Sequence, residues 1–151
     1  MYKSCSFFGH REIEELQNVK SKLIDIIETL IKEDYRYFYF GGFGEFDDLC
    51  YQIVSEKKKK YPYIKRIFCL YDARHKKRDK RPKWLLNEEY EEYVYFDMEY
   101  DYWYTRIYYR NIEILKKSDF CIFYSKEKKN SGAYKLLQYA KKNKYNYINI
   151  I

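Results

Sequence analysis

The stretch YRYFYFGGFGEFDDLC, residues 35–50, decides how this chain is built. Residues 35–40 form a continuous apolar and aromatic run, suited to a strand covered on both faces. Phe46, Leu49, Cys50, Ile53 and Val54 then recur at helical spacing and predict a helix that ends in the cationic run 57–60. Between the two, Gly41, Gly42 and Gly44 place three of the chain's five glycines within four positions. Glycine is costly unless the backbone takes positive φ or something must come close. A strand, a glycine turn and a helix in succession form the repeating unit of a parallel α/β sheet.

The same unit recurs outward from this stretch. YKSCSFF reads as a strand ending at Gly9, and Ile13, Leu16, Val19, Leu23, Ile27 and Leu30 predict an amphipathic helix from Arg11 to Lys32. Further strands are expected at 64–70, 119–124 and 145–150, with helices at about 104–117 and 131–144. The expected fold is α/β, a Rossmann-like doubly wound, mostly parallel sheet of about five strands with helices on both faces. The 151 residues are read as one domain, with an irregular aromatic and acidic insertion at about 72–103. Within it, WLLNEEYEEYVYFDMEYDYW (84–103) has neither clean periodicity; it is expected to be a helical extension or a strand pair, with a face for a partner subunit.

Composition narrows the class. With 46% hydrophobic and 22% aromatic residues, the chain can bury a core although 35% of it is charged, which excludes disorder. The net charge of +7 favours anionic partners. No long uncharged apolar run and no signal-peptide core appears, so the expectation is a cytoplasmic protein without a membrane partner. Cys5, Cys50, Cys69 and Cys121 lack metal-ligand spacing, and neither a metal nor another cofactor is expected.

Every glycine falls at a strand-to-helix junction: Gly9 after the first strand, Gly41, Gly42 and Gly44 after the second, Gly132 after the fourth. In a parallel sheet these junctions share the carboxyl edge, where ligands bind and helix N-termini offer free N–H groups. The basic runs 76–81 and 126–129 should border the same edge. The candidate ligand-binding residues at these junctions are therefore Gly9, His10, Arg11, Gly41, Gly42, Phe43, Gly44, Glu45, Asp47, Ser131 and Gly132. Arg11 either grips a phosphate or pairs with Glu14 or Glu15. His10 either donates to phosphate or packs and caps. Asp47 or Glu45 would accept from a ribose hydroxyl or base amine, Phe43 would stack on a base, and Ser131 would cap its helix and touch phosphate together. Tyr71, Asp72 and Arg74 are secondary candidates by position.

Three motifs in order, CSFFGHRE, FGGFGEFDDL and YRNIEILKKSDFCIFYSKEKKNSGAYKLLQYA, resemble the SLOG superfamily of Rossmann-like nucleotide-ligand-binding domains, within it a small single-domain bacterial and phage group with a GHR start. The resemblance implies a site at the carboxyl edge for a nucleotide or nucleotide derivative, and it implies a homo-oligomer. Superfamily members include phosphoribohydrolases of the LONELY GUY type, DNA-processing proteins and nucleotide-signal sensors, so membership does not fix an activity. The phosphoribohydrolases carry a glycine-rich turn where Gly41, Gly42 and Gly44 stand, and an arginine that Arg110 matches ahead of Ser118 and Asp119, so the resemblance adds Arg110, its neighbour Asn111 and Ala133 to the candidate ligand-binding residues. Their PGGxGTxxE turn corresponds to NSGAYKL here, with Gly132 matched, Ala133 in place of threonine and Leu136 in place of the catalytic glutamate.

A leucine can neither move a proton nor stabilise an oxocarbenium ion. The expected function is therefore binding of a nucleotide-derived small molecule, as sensor or sequestering protein. The alternative is an N-glycosidase or phosphoribohydrolase in which Glu45, Asp47 or Asp48 supplies the missing carboxylate and Arg110 assists. Nucleic-acid binding ranks third, since no nucleic-acid motif appears.

Overall fold

The structure, a computed structural model, describes residues 2–42, 44–70, 90–96 and 102–151. Phe43, Tyr71, Asp72, Arg74 and the basic run 76–81 lie outside the described residues. Six strands, β1 (Lys3–Gly9), β2 (Tyr35–Phe40), β3 (Lys65–Leu70), β4 (Glu92–Tyr95), β5 (Phe120–Tyr124) and β6 (Tyr147–Asn149), form one parallel sheet in the order β4-β3-β2-β1-β5-β6. Four described helices flank it: α1 (Leu16–Lys32), α2 (Glu45–Lys60), α3 (Trp103–Lys117) and α4 (Gly132–Lys142). The fold is the expected Rossmann-like doubly wound α/β sandwich, with one strand more than the expected count.

Alternation along the strands feeds two cores. Cys5 and Phe7 of β1 with Ile122 and Tyr124 of β5 pack beneath α1 and α2, against Leu23, Ile27, Phe46 and Cys50. Phe8, Cys121 and Phe123 point the other way and pack under α3 and α4, against Ile114, Leu115, Leu136 and Leu137. All four cysteines are buried and reduced, and burial pushes the Cys69 thiol up to about 12.

Two features of the described elements go beyond or differ from expectation. Within 84–103, the described residues 90–96 contain a strand, β4, that pairs with β3 from Ile67↔Glu92 to Leu70↔Tyr95, and the rest of the expected helical extension or strand pair, 84–89 and 97–101, lies outside the described residues. Tyr90 anchors β4, its ring 4.8 Å from those of both Tyr51 and Phe68. Helix α1 starts at Leu16, five residues later than its apolar spacing suggested. The reason is tertiary: Glu45 N–H donates to Arg11 O (2.8 Å), Ile13 N–H to Glu45 Oε2 (2.7 Å) and Glu14 N–H to Tyr124 Oη (3.0 Å), which pins residues 11–14 across the sheet edge as a loop. The Ser118–Asp119 pair lies at the opposite, amino end of β5, where Asp119 Oδ2 accepts from Ser4 N–H at 2.8 Å and Ser118 Oγ bonds Ser6 Oγ at 2.8 Å. Its role is to dock β5 on β1.

The chain runs from β1 to β4 in one direction and returns through α3 to β5 on the other side of β1. The carboxyl ends of β1 and β5 thus form the switch point at which this architecture opens a crevice. Gly9 sits at that point because α2 comes close: a Cβ there would lie 2.4 Å from the Phe46 ring, which itself stacks on Tyr124. Gly9→Ala should therefore destabilise the protein by about 1–3 kcal/mol through overpacking, read as a lower midpoint in urea with an unchanged slope.

Candidate functional site

A cavity of about 470 Å³ opens at the switch point. Of the residues expected there, Gly9, His10, Arg11, Gly41, Asp47, Arg110, Asn111, Ser131, Gly132 and Ala133 line it. Gly42, Gly44 and Glu45 do not line it; they hold the loops behind it. Lys128, from the basic run expected to border this edge, also lines the cavity, as do Glu12, Tyr39, Ile107 and Asn130, which the sequence did not single out. Ile107 was legible in principle, because Ile107, Arg110, Asn111 and Ile114 share one helical face.

The glycine turn is closed from within. Asp47, 7% exposed in the first turn of α2, accepts from Gly41 N–H (3.1 Å) and Gly42 N–H (2.8 Å) with its two oxygens. The amides expected to cradle a phosphate are thus engaged by a carboxylate of the same chain. On the other side of the same residue, Arg110 Nη1 donates to Gly41 O (3.1 Å) and to Cys69 O (3.3 Å). Arg110 is 2% exposed, and a Cβ on Gly41 would lie 2.4 Å from its Nη2. Asn111 Oδ1 accepts from Arg110 Nε (3.2 Å) and Nη2 (2.9 Å), which directs the amide oxygen to the guanidinium and leaves the Nδ2 protons for the cavity.

Gly132, the first residue of α4, behaves differently. Nothing lies within 4 Å of a Cβ built there, and its backbone is not in the left-handed region. No packing or conformational demand among the described residues requires a glycine at this point of the cavity wall. Ser131 caps α4 by accepting from Tyr134 N–H at 3.4 Å. Around this helix start stand Arg11 and Lys128, both exposed and with no side-chain partner among the described residues. Glu12 is likewise exposed and unpartnered there, whereas Lys126 is paired with Glu14.

Part of the lining is apolar, with Phe8, Ile107, Ile114 and Leu136. Leu136 is 1% exposed and belongs to the core under α3 and α4, so proton transfer has no group at that position. Glu45 Oε2 takes the Ile13 amide and Asp47 takes two glycine amides, so each of these carboxylates has a structural task. No protein-family model and no curated protein matches this chain. Among the described residues no helix is long and apolar enough to cross a membrane, and no group of three or more His, Cys, Asp or Glu side chains could hold a metal.

His10 links the two halves of the crevice. Its Nε2 accepts from Lys126 N–H at 2.7 Å, its Nδ1 lies 3.1 Å from Ser131 Oγ, and its ring meets Tyr124 edge-on at 5.9 Å. Burial first, then the charge of Lys128, lowers its pKa from the usual 6.5; a backbone hydrogen bond at Lys126 pulls the other way, and the smaller charge effects of Lys126 and Glu14 oppose each other. A base held neutral by the fold contributes stability that is complete above about pH 6.5 and is lost as pH falls through the lowered folded value. Thermal unfolding from pH 8 to 5 should therefore show the difference between wild type and His10→Asn shrinking on the acid side; a constant difference would contradict a neutral His10.

Proposed function

We propose that this protein binds a nucleotide-derived small molecule in the carboxyl-edge cavity, as a sensor or sequestering domain of the SLOG type. The observation that carries the reading is the open Gly132 at the start of α4, flanked by the uncommitted cations Arg11 and Lys128. An anionic group approaching that backbone would meet helix N–H groups, the positive end of the helix and two neutralising side chains. The apolar wall of Phe8, Ile107 and Ile114 would receive a base, and the Asn111 amide and Glu12 carboxylate offer a donor and an acceptor for sugar or base edges. A cavity of about 470 Å³ suits a ligand of mononucleotide to dinucleotide scale. Oligomerisation, which the superfamily resemblance implies, is part of the same proposal.

The nucleic-acid reading is weaker, because the densest described basic run is spent internally. Lys57 and Lys60 pair with Glu28, Lys59 with Glu56, and Lys58 bonds Pro62 O, Ile64 O and Glu91. One observation favours a hydrolytic second reading: Glu12 is a cavity-lining carboxylate with no partner among the described residues. Free base released from nucleoside monophosphates by wild type and abolished in Glu12→Gln would establish it.

A thermal-shift panel of nucleoside mono- and diphosphates, ADP-ribose and cyclic dinucleotides should contain at least one stabilising ligand. Gly132→Ala should leave the unliganded melting temperature unchanged or slightly raised, since alanine is the better helix former. The same change should remove most of the ligand-induced shift. No shift with any member at millimolar concentration, or an undiminished shift in Gly132→Ala, would count against the reading.

A further inference from the structure

Ser131 and His10 have the look of a nucleophile and its base, with Oγ 3.1 Å from Nδ1. The far side of the ring decides otherwise. Nε2 lies 2.7 Å from the backbone N–H of Lys126, a group that can only donate, so Nε2 must carry the lone pair. In the neutral ring the proton then resides on Nδ1 and is donated to Ser131 Oγ. A nitrogen already bearing a proton cannot accept one from the serine, so the pair is not a hydrolytic dyad.

The consequence passes to the serine. Ser131 Oγ accepts from His10 Nδ1–H and from Tyr134 N–H, which uses both its lone pairs. Its one remaining capability is the hydroxyl proton, at a residue that lines the cavity beside Gly132. We infer that His10 is a positioning residue whose backbone-anchored tautomer makes Ser131 an obligate hydrogen-bond donor into the cavity, so that this end of the site selects ligand groups that only accept, such as ionised phosphate or carboxylate oxygens, over hydroxyls and amines. The tautomer follows from the protein's own hydrogen bonds; the selectivity rests on the anion-site reading above.

Each half has its own readout. In protein labelled with nitrogen-15, with His75→Gln removing the only other histidine, the His10 imidazole at pH 7.5 should show a protonated Nδ1 and a bare Nε2. A protonated Nε2, or an averaged pair, would overturn the assignment. Affinity for inorganic phosphate, read by titration, tests the transmitted effect. Ser131→Ala should weaken it about ten- to a hundredfold, the range for a hydrogen bond to a charged group. His10→Asn keeps a donor at the Nδ1 position and loses the acceptor for Lys126, whereas His10→Gln keeps an acceptor near Nε2 and loses the donor. Near-native affinity in the asparagine variant with weakening in the glutamine variant supports positioning through Ser131. The reverse order would make His10 a loop anchor and overturn the inference, with thermal unfolding confirming that each variant is folded. A wild-type protein that binds no phosphate defeats the anion-site reading, and the imidazole spectrum alone then upholds or overturns the tautomer.

Discussion

The grip on one peptide, Gly41, ties this molecule together. Asp47 reaches it from α2 on one face of the sheet and takes its N–H, while Arg110 reaches it from α3 on the other face and donates to its carbonyl. Only a residue without a side chain lets the guanidinium lie so close. Because Asp47 also takes Gly42 N–H and Arg110 also reaches Cys69 O, the ends of β2 and β3 are fastened to both helical layers at a single place. Both charged side chains are almost wholly buried, an arrangement that is tolerable only when their lone pairs and protons are met by partners.

This fastening divides the carboxyl edge into a closed half and an open half. On the β2 side, carboxylate and guanidinium are committed to backbone groups, and the amides of Gly41 and Gly42 are satisfied. On the β1–β5 side, the loop after β1 is held by Glu45 and Tyr124, which fixes its course and leaves Arg11 and Glu12 uncommitted. His10 and Ser131 then join that loop to the start of α4. The chemistry available for a ligand is therefore concentrated around α4, and the glycine turn that first draws the eye serves mainly as its structural backing.

Much of the fold was legible because period-2 alternation and helical spacing are local properties. Phe7 and Phe8 must face opposite layers of any sheet that contains them, and Leu23 and Ile27 must share a helical face. The loop at 11–15 was not legible, since its apolar spacing continues that of α1 and only contacts from Glu45 and Tyr124, 30 and more residues away, override it. Strand β4 was hidden by a tyrosine- and glutamate-rich composition that reads as neither period; it is specified by pairing with β3 and by Tyr90. That many of the singled-out residues meet at the carboxyl edge of the sheet was legible, because every glycine marks a junction there. The division of labour among those glycines was not visible, since it depends on what lies within 3 Å of an absent Cβ: Phe46 at Gly9, Arg110 at Gly41, open space at Gly132.

The central claim is that the ligand's anionic end sits at the start of α4 and its remainder on the wall formed by α3. Backbone amide spectra recorded during titration with adenosine monophosphate and with ADP-ribose test it most directly. The account predicts that the shifted amides cluster at residues 9–12, 110–114 and 128–136, while those of the lysine run 57–60 stay in place. Shifts centred on that run or on the amino edge of the sheet, or spectra indifferent to both compounds, would contradict it.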